Sequence, residues 1–143
     1  MYIMKSEYRR TKTTVSMINY HFVFCPKYRR KIFTYPGVED RFKELVSIVC
    51  KEMDVTIIAM ECHIDHTHLF LNCPPSLSPA DAMAKIKGYT SKTLREEFDI
   101  LKSMTSLWTR SYFVSTAGNV SSNIIKKYVE NQKTTDYKHK KKR

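Results

Sequence analysis

Strand-forming and helix-forming segments alternate along this chain, and their order restricts the folds that it can adopt. Four segments are rich in β-branched and aromatic residues, which favour strands. Two longer segments repeat apolar residues every three or four positions, as helices do when one side is buried. The predicted strands cover residues 17–25, 55–62, 66–73 and 107–115, and the predicted helices cover 38–53, about 79–98 and about 120–132.

The two longer helices carry further signals. The first has apolar residues at positions 38, 42, 45, 46, 49 and 53, which fall on one helix face. The second begins at Ser78, a suitable N-cap, followed by Pro79 at the first helical position and Asp81 in the first turn. Both helices are therefore expected to bury one face against the sheet.

This order predicts two strand–helix–strand units joined by a hairpin. Such units form an α+β, ferredoxin-like or RRM-like antiparallel sheet with helices on one face. The first and third strands are then central neighbours, so that His21 comes close to the third strand, and the C-terminal helix carries a tyrosine. The 143 residues predict a single domain over 1–143, with residues 1–14 and 134–143 as flexible basic tails.

The third strand carries a pair of histidines at the spacing of one strand face. His66 and His68 are two residues apart, so their side chains point the same way. Two neighbouring imidazoles can hold one divalent metal ion. His63, three residues before His66, is expected to face away from the pair as a loop or structural histidine.

The last helix offers a third ligand and a nucleophile. Tyr128 and Gln132 are four residues apart and therefore share a helix face. A glutamine carbonyl oxygen suits Mg²⁺ or Mn²⁺. A tyrosine can form a covalent intermediate, although a tyrosine in the apolar stripe of a helix is more often part of the core.

The charge of the chain points to a polyanionic partner. There are 25 Lys and Arg residues against 14 Asp and Glu, a net charge of +11, and a basic stretch at residues 138–143 supplies five of these charges. Such an excess is typical of proteins that bind nucleic acids. Four cysteines without a CxxC pair argue against a structural zinc site. No apolar run or signal sequence indicates a membrane, so we expect a cytoplasmic protein.

Taken in order, three motifs closely resemble those of one family. They are residues 65–69 (Asp-His-Thr-His-Leu), 107–113 (Leu-Trp-Thr-Arg-Ser-Tyr-Phe) and 128–132 (Tyr-Val-Glu-Asn-Gln). The chain resembles the single-tyrosine transposases of simple insertion sequences, which belong to the HUH nucleases. Residues 24–33 also look like the first strand and the following loop of that family. One departure is Thr67, which stands where the motif has a hydrophobic residue.

The resemblance implies a DNA transposase that cleaves and rejoins single-stranded DNA at hairpin-marked ends of an insertion sequence. Tyr128 would form a 5′-phosphotyrosine intermediate, and His66, His68 and Gln132 would bind Mg²⁺ or Mn²⁺. It also implies a homodimer in which the tyrosine helix can complete the site of the partner.

Basic residues are candidates for contacts with the DNA phosphates; these are Lys27, Arg29, Arg30, Lys31, Lys87 and Lys92. Three other functions remain open from the residues alone. They are a noncatalytic single-stranded nucleic-acid-binding module, an HUH replication initiator or relaxase-like nuclease, and a metal-dependent hydrolase in which water replaces Tyr128.

Overall fold

The computed structural model describes residues 8–116 and 126–132. Within these residues, four strands form the main sheet: β3 (Ile18–Phe24), β4 (Thr56–Cys62), β5 (Thr67–Cys73) and β6 (Phe113–Thr116). Two long helices accompany them, α1 (Val38–Glu52) and α2 (Pro79–Glu97), and residues 126–132 are helical as well. A separate small hairpin pairs β1 (Arg9–Arg10) with β2 (Val15–Ser16).

The sheet has the predicted ferredoxin-like arrangement. Its strand order is β4-β5-β3-β6, and all three neighbouring pairs are antiparallel. The first and third strands of the predicted pattern, β3 and β5, are the central neighbours. The N-cap of α2 is also confirmed, because the Ser78 hydroxyl accepts a hydrogen bond from the Asp81 backbone N–H at 3.0 Å.

The two faces of the sheet have different chemistry. Phe22 and Leu69, which are register partners, are fully buried in the core together with residues of α1 and α2. Since side chains alternate along a strand, the neighbouring positions His21, His68 and Phe70 point to the opposite face. The histidines therefore lie on the face that the two long helices leave uncovered.

The predicted fourth strand, residues 107–115, is wrong in its first half. Only Phe113–Thr116 pairs with β3. Upstream, Trp108 forms an isolated bridge with Pro26, and the Thr109 N–H donates to the Cys25 carbonyl at 3.0 Å. Between these two stretches, the carbonyls of residues 109–111 accept hydrogen bonds from Lys87 of α2.

The N-terminal segment is more ordered than a flexible tail over 1–14 would be. From residue 8 onward, the chain forms the β1–β2 hairpin, and Arg9 fastens it to the main sheet. The Arg9 guanidinium donates to the Asn72 side chain at 2.6 Å and to Asp54 at 3.1 Å. Three stretches covered by these predictions lie outside the described residues: residues 1–7, the predicted tail at 134–143, and the start of the predicted last helix at 120–125.

No helix of the described chain is long and apolar enough to cross a bilayer.

Trp108, from the motif at residues 107–113, packs in the hydrophobic core. Its side chain is 3% exposed, and its ring centroid lies 4.9 Å from that of Phe24 and 5.4 Å from that of Phe42. Its indole N–H donates to the buried Thr90 hydroxyl at 3.0 Å. We therefore expect Trp108→Ala to lower the free energy of unfolding by about 3–5 kcal/mol.

Urea unfolding followed by circular dichroism measures this change. Ile100→Ala is the matched control, because Ile100 is 55% exposed and its loss should change stability by no more than about 0.5 kcal/mol. Equal effects of the two substitutions would contradict this packing role of Trp108.

Candidate metal and nuclease site

The β4–β5 hairpin brings three histidines together at its closed end. The register pairs Glu61 with His68, and one turn hydrogen bond joins the His63 N–H to the His66 carbonyl at 2.8 Å. Residues opposite each other in antiparallel strands point to the same face. One ligand atom from each of His63, His66 and His68 lies within 4.8 Å of the other two.

The expectation that His63 faces away from His66 is wrong. Their rings stack with centroids 4.6 Å apart and planes 10° apart. Strict alternation applies along a single strand, whereas His63 and His66 stand opposite each other where the chain reverses. The Cys62–Thr67 pair is the last of the β4–β5 ladder, and one residue further toward the turn on each strand brings His63 opposite His66, a register that spacing along one strand does not give.

His66 is oriented by an ion pair. Its Nδ1 lies 2.9 Å from Asp65 Oδ1, and Arg29 donates to the other Asp65 oxygen through Nε at 3.0 Å and through a second guanidinium nitrogen. Burial alone raises the pKa of the Asp65 carboxyl, but the hydrogen bonds from His66 and Arg29 outweigh it and hold that pKa below its usual value. Asp65 is therefore an anion at neutral pH.

The backbone at Tyr28 and Arg29, just before the Arg29 side chain reaches Asp65, has an unusual conformation. Tyr28 and Arg29 have φ values of 58° and 52°, a region that side chains other than glycine rarely adopt. Arg29 was expected to contact DNA; the structure places it at the histidine site, paired with Asp65.

His68 is the most buried of the three histidines and contacts a fourth. Its Nδ1 lies 2.9 Å from Nε2 of the buried His21, whose ring stacks on Phe70 with centroids 4.1 Å apart. The predicted proximity of His21 to the pair is thus confirmed. Burial, helped by the neighbouring histidines, lowers the pKa of His68 to about 4, and burial also lowers the pKa of His21. Both imidazoles are neutral at pH 7, the form that binds metals.

An open cleft of about 440 Å³ lies over these histidines. The helical residues 126–132 contribute one of its walls, and the β4–β5 turn contributes another. Its lining residues are Arg29, His63, Asp65, His66, His68, Lys126, Val129 and Glu130. The imidazoles and the two cations make it a fitting place for a metal ion and a phosphate.

Tyr128 and Gln132 are near this cleft but do not line it. The Tyr128 hydroxyl donates to the Ser111 carbonyl at 3.2 Å, and the Gln132 side-chain oxygen accepts from the Ser111 hydroxyl at 2.6 Å. Gln132 is 7% exposed. The structure therefore brings the predicted nucleophile and the predicted third ligand together at Ser111, a residue that the sequence did not single out.

Lys87, a predicted DNA contact, reaches the same segment from α2. Its Nζ donates to the carbonyls of Thr109 at 2.6 Å, Arg110 at 3.3 Å and Ser111 at 3.1 Å, and it lies 5.7 Å from the centre of the Tyr112 ring. Burial lowers the pKa of Lys87 to about 8. A DNA phosphate would have to compete with these three carbonyls.

These contacts predict a structural effect of Lys87→Met, which keeps the apolar stem but removes the donors. We expect a loss of about 1–3 kcal/mol in the free energy of unfolding. The unfolded chain keeps the lysine proton up to about pH 10.5, whereas the folded chain loses it near pH 8. The wild-type protein should therefore gain stability between these pH values, and Lys87→Met should lack this gain. Urea titrations across this range measure both effects.

The exposed Lys92 of α2 supplies the control. Lys92→Met should leave stability within about 0.5 kcal/mol of the wild type. A Lys87→Met protein with unchanged stability would show that these carbonyl contacts contribute little.

The remaining predicted DNA contacts lie in two places. Arg30 and Lys31 are exposed just after β3, next to the half-buried Lys27, whose Nζ lies 5.8 Å from the centre of the Tyr28 ring. Lys92 lies on α2, in a surface hollow shared with Arg95 and Lys102. Because α2 packs on the face opposite the histidines, Lys92 is on the other side of the sheet from the cleft.

Comparisons with known proteins agree with this fold. Residues 14–132 match the family described as IS200-like transposases. The transposase of insertion sequence IS200 from Salmonella typhimurium is 35% identical over 120 residues, which cover 82% of this chain and 78% of that protein. The ISDra2 transposase TnpA of Deinococcus radiodurans is 27% identical and covers 91% of this chain and 94% of its own length.

Two solved structures share the architecture. A Deinococcus radiodurans R1 protein described as a transposase has a TM-score of 0.80 and 26% identity, covering 87% of this chain and 97% of its own. A REP-associated tyrosine transposase bound to a REP hairpin has a TM-score of 0.56 and 14% identity, covering 94% of this chain and 74% of its own, which is a likeness of fold. With most of its length matched to one family, this chain belongs to the IS200-like transposases.

Proposed function

We propose that this transposase cleaves and rejoins single-stranded DNA at hairpin-marked ends of an insertion sequence, with Tyr128 as the nucleophile. The observation that carries the proposal is the three-histidine cleft of this family member. Residues of the helical segment 126–132 line one side of it. The exposed Lys126 and Arg29, which is paired with Asp65, both line the cleft and can donate to a phosphate there.

The chemistry requires Tyr128 to exchange one phosphate ester for another. Its phenolic oxygen attacks the phosphorus and loses its proton, while the bond from phosphorus to the 3′ oxygen breaks. The 3′ oxygen leaves with a proton as a free hydroxyl, and the 5′ phosphate remains on Tyr128. A second 3′-hydroxyl then attacks the same phosphorus and releases the tyrosine. The number of phosphate esters is unchanged, so no external energy source is needed.

A divalent ion held at the cleft would polarise the phosphate oxygens and neutralise the charge that develops on them. We propose His66 and His68 as its ligands, with Mg²⁺ or Mn²⁺ as the ion and Gln132 as a further ligand during cleavage. His63 adds a third imidazole to this donor set. Imidazole suits transition metals better than Mg²⁺, which prefers oxygen donors, so that Mn²⁺ is the better fit to the residues in the cleft.

Tyr128 and Gln132 must leave Ser111 before they can act at the histidines. Their two hydrogen bonds to Ser111 are each worth about 0.5–1.5 kcal/mol, and the binding of DNA can offset their loss. A homodimer offers another route, in which the helix of one subunit completes the cleft of its partner. We propose such a dimer. Dimers mixed from two variants then show whether Tyr128 acts in its own subunit or in the partner.

We propose that the exposed cations Arg30, Lys31 and Lys92 and the half-buried Lys27 contact the DNA phosphates. Arg29 and Lys87 already have partners within the protein and would add further contacts. Phosphate binding by several cations predicts an affinity for DNA that falls steeply as the salt concentration rises.

The four cysteines are all free thiols, which agrees with action in the reducing cytoplasm.

The proposed function is tested with a hairpin-containing DNA strand labelled at either end and incubated with Mn²⁺. A band shifted on a denaturing gel, formed only with the label downstream of the cut, identifies a 5′-phosphotyrosine link. Cleavage without a covalent band would indicate a hydrolase that uses water. Salt-sensitive binding without cleavage, over a series of hairpins and metals, would indicate a noncatalytic binding module.

A further inference from the structure

We propose that Asp65 and His21 are positioning residues that accept hydrogen bonds from Nδ1 of His66 and His68, so that Nε2 of each ring is the free nitrogen for a metal ion. This inference rests on the metal site of the proposed function. It concerns two side chains that would not themselves contact the metal. It also gives a role to a buried histidine that the cleavage chemistry leaves unused.

At His66 the case rests on the contact of Nδ1 with a carboxylate. A carboxylate only accepts hydrogen bonds, so the 2.9 Å contact of Asp65 Oδ1 requires the proton of His66 to be on Nδ1. A neutral imidazole has one proton, and Nε2 therefore keeps its lone pair. Arg29 holds the second oxygen of Asp65, which keeps the carboxylate charged and fixes its orientation.

At His68 the partner is another imidazole, so the two tautomers are coupled. His68 Nδ1 and His21 Nε2 lie 2.9 Å apart, and one proton must lie between them. If His68 donates, its Nε2 is free for a metal and His21 carries its proton on Nδ1. If His21 donates, the proton of His68 is on Nε2 and the ring cannot bind a metal there.

The surroundings of His21 keep this contact in place. Its ring lies between β3 and β5, is 3% exposed and stacks on Phe70 with planes 7° apart. Its Nδ1 is buried and has no hydrogen-bond partner among the described residues. Burial and stacking hold His21 Nε2 within hydrogen-bond distance of His68 Nδ1, where it can accept the hydrogen bond that leaves His68 Nε2 free.

Metal affinity measures the proposed role without any DNA. Outer-shell partners of metal-bound histidines typically contribute about 10–100-fold to affinity. We expect Asp65→Ala and His21→Phe each to weaken Mn²⁺ binding by about that factor in isothermal titration calorimetry. Asp65→Asn keeps the shape of the side chain, but Arg29 can only donate and takes its amide oxygen, so that the amide N–H₂ faces His66 Nδ1 and favours the proton on Nε2. This variant should therefore also weaken Mn²⁺ binding.

Asp99→Ala is the matched control, because Asp99 is an exposed aspartate that pairs with Lys102 on the surface. It should bind Mn²⁺ as the wild type does. Mn²⁺ affinity unchanged in both Asp65→Ala and His21→Phe would overturn the proposal. If His21→Phe does not fold, the comparison of Asp65→Ala and Asp65→Asn with Asp99→Ala decides by itself.

The tautomers themselves are the second readout, and they require no metal. In long-range ¹H–¹⁵N correlation spectra, the metal-free wild type should show His66 protonated on Nδ1. Asp65→Ala should lose this preference, whereas Asp99→Ala should keep it. An Asp65→Ala protein with an unchanged His66 tautomer would overturn the inference. A wild type with the expected tautomer but no Mn²⁺ binding would instead contradict the metal site of the proposed function.

Discussion

Tyr128→Phe is expected to abolish the covalent protein–DNA adduct. The substitution removes only the oxygen that would attack the phosphorus, and loss of a nucleophile lowers the rate of such a step by on the order of 10⁴-fold or more. The ring also remains near Phe113, whose centroid is 6.3 Å away, so the helix should keep its place. The measurement is the amount of adduct on a denaturing gel over time, with hairpin DNA and Mn²⁺.

DNA binding separates this effect from a general loss of structure. Tyr128→Phe should bind the same strand with about the wild-type affinity, because phosphate contacts by several cations carry that affinity. Tyr8→Phe is the matched control, since Tyr8 is 58% exposed and should form the adduct at the normal rate. Wild-type amounts of adduct in Tyr128→Phe would mean that another residue is the nucleophile.

His68→Ala should remove both metal binding and DNA cleavage. His68 is the buried member of the three-histidine cluster. Loss of a direct ligand should cost more than the roughly 10–100-fold expected for an outer partner. Titration calorimetry with Mn²⁺ and the adduct assay measure the two effects on the same preparations.

Two further variants identify the third ligand before DNA binds. His63→Ala should weaken Mn²⁺ binding in the free protein, because its ring is already within reach of the other two. Gln132→Ala should leave it nearly unchanged, because the Gln132 oxygen accepts from Ser111. The opposite pattern, a large loss in Gln132→Ala and none in His63→Ala, would contradict the three-histidine site and restore the ligand set expected from the sequence.

The strand–helix order and the two faces of the sheet could be predicted from the sequence because they depend on local spacing. Alternation over residues 66–73 put His66 and His68 on the face opposite Leu69, and the spacing of apolar residues over 38–53 gave α1 to within one residue. The prediction was wrong at residues 107–112, where the chain looks like a strand. There Trp108 packs in the core and Lys87 donates to three backbone carbonyls. Both contacts join residues that are far apart in the sequence, and the strand pairing is interrupted at this point.

The sequence by itself determined the fold and the histidine pair, since periodicities of two and 3.6 are properties of neighbouring residues. Only the tertiary structure decided which groups meet at the site. His63 joins the pair through hairpin register, Arg29 reaches Asp65 across 36 residues, and His21 reaches His68 across 47. Ser111 likewise meets Tyr128 and Gln132 through contacts 17 and 21 residues apart. Such contacts depend on strand register and loop conformation, which local spacing does not encode.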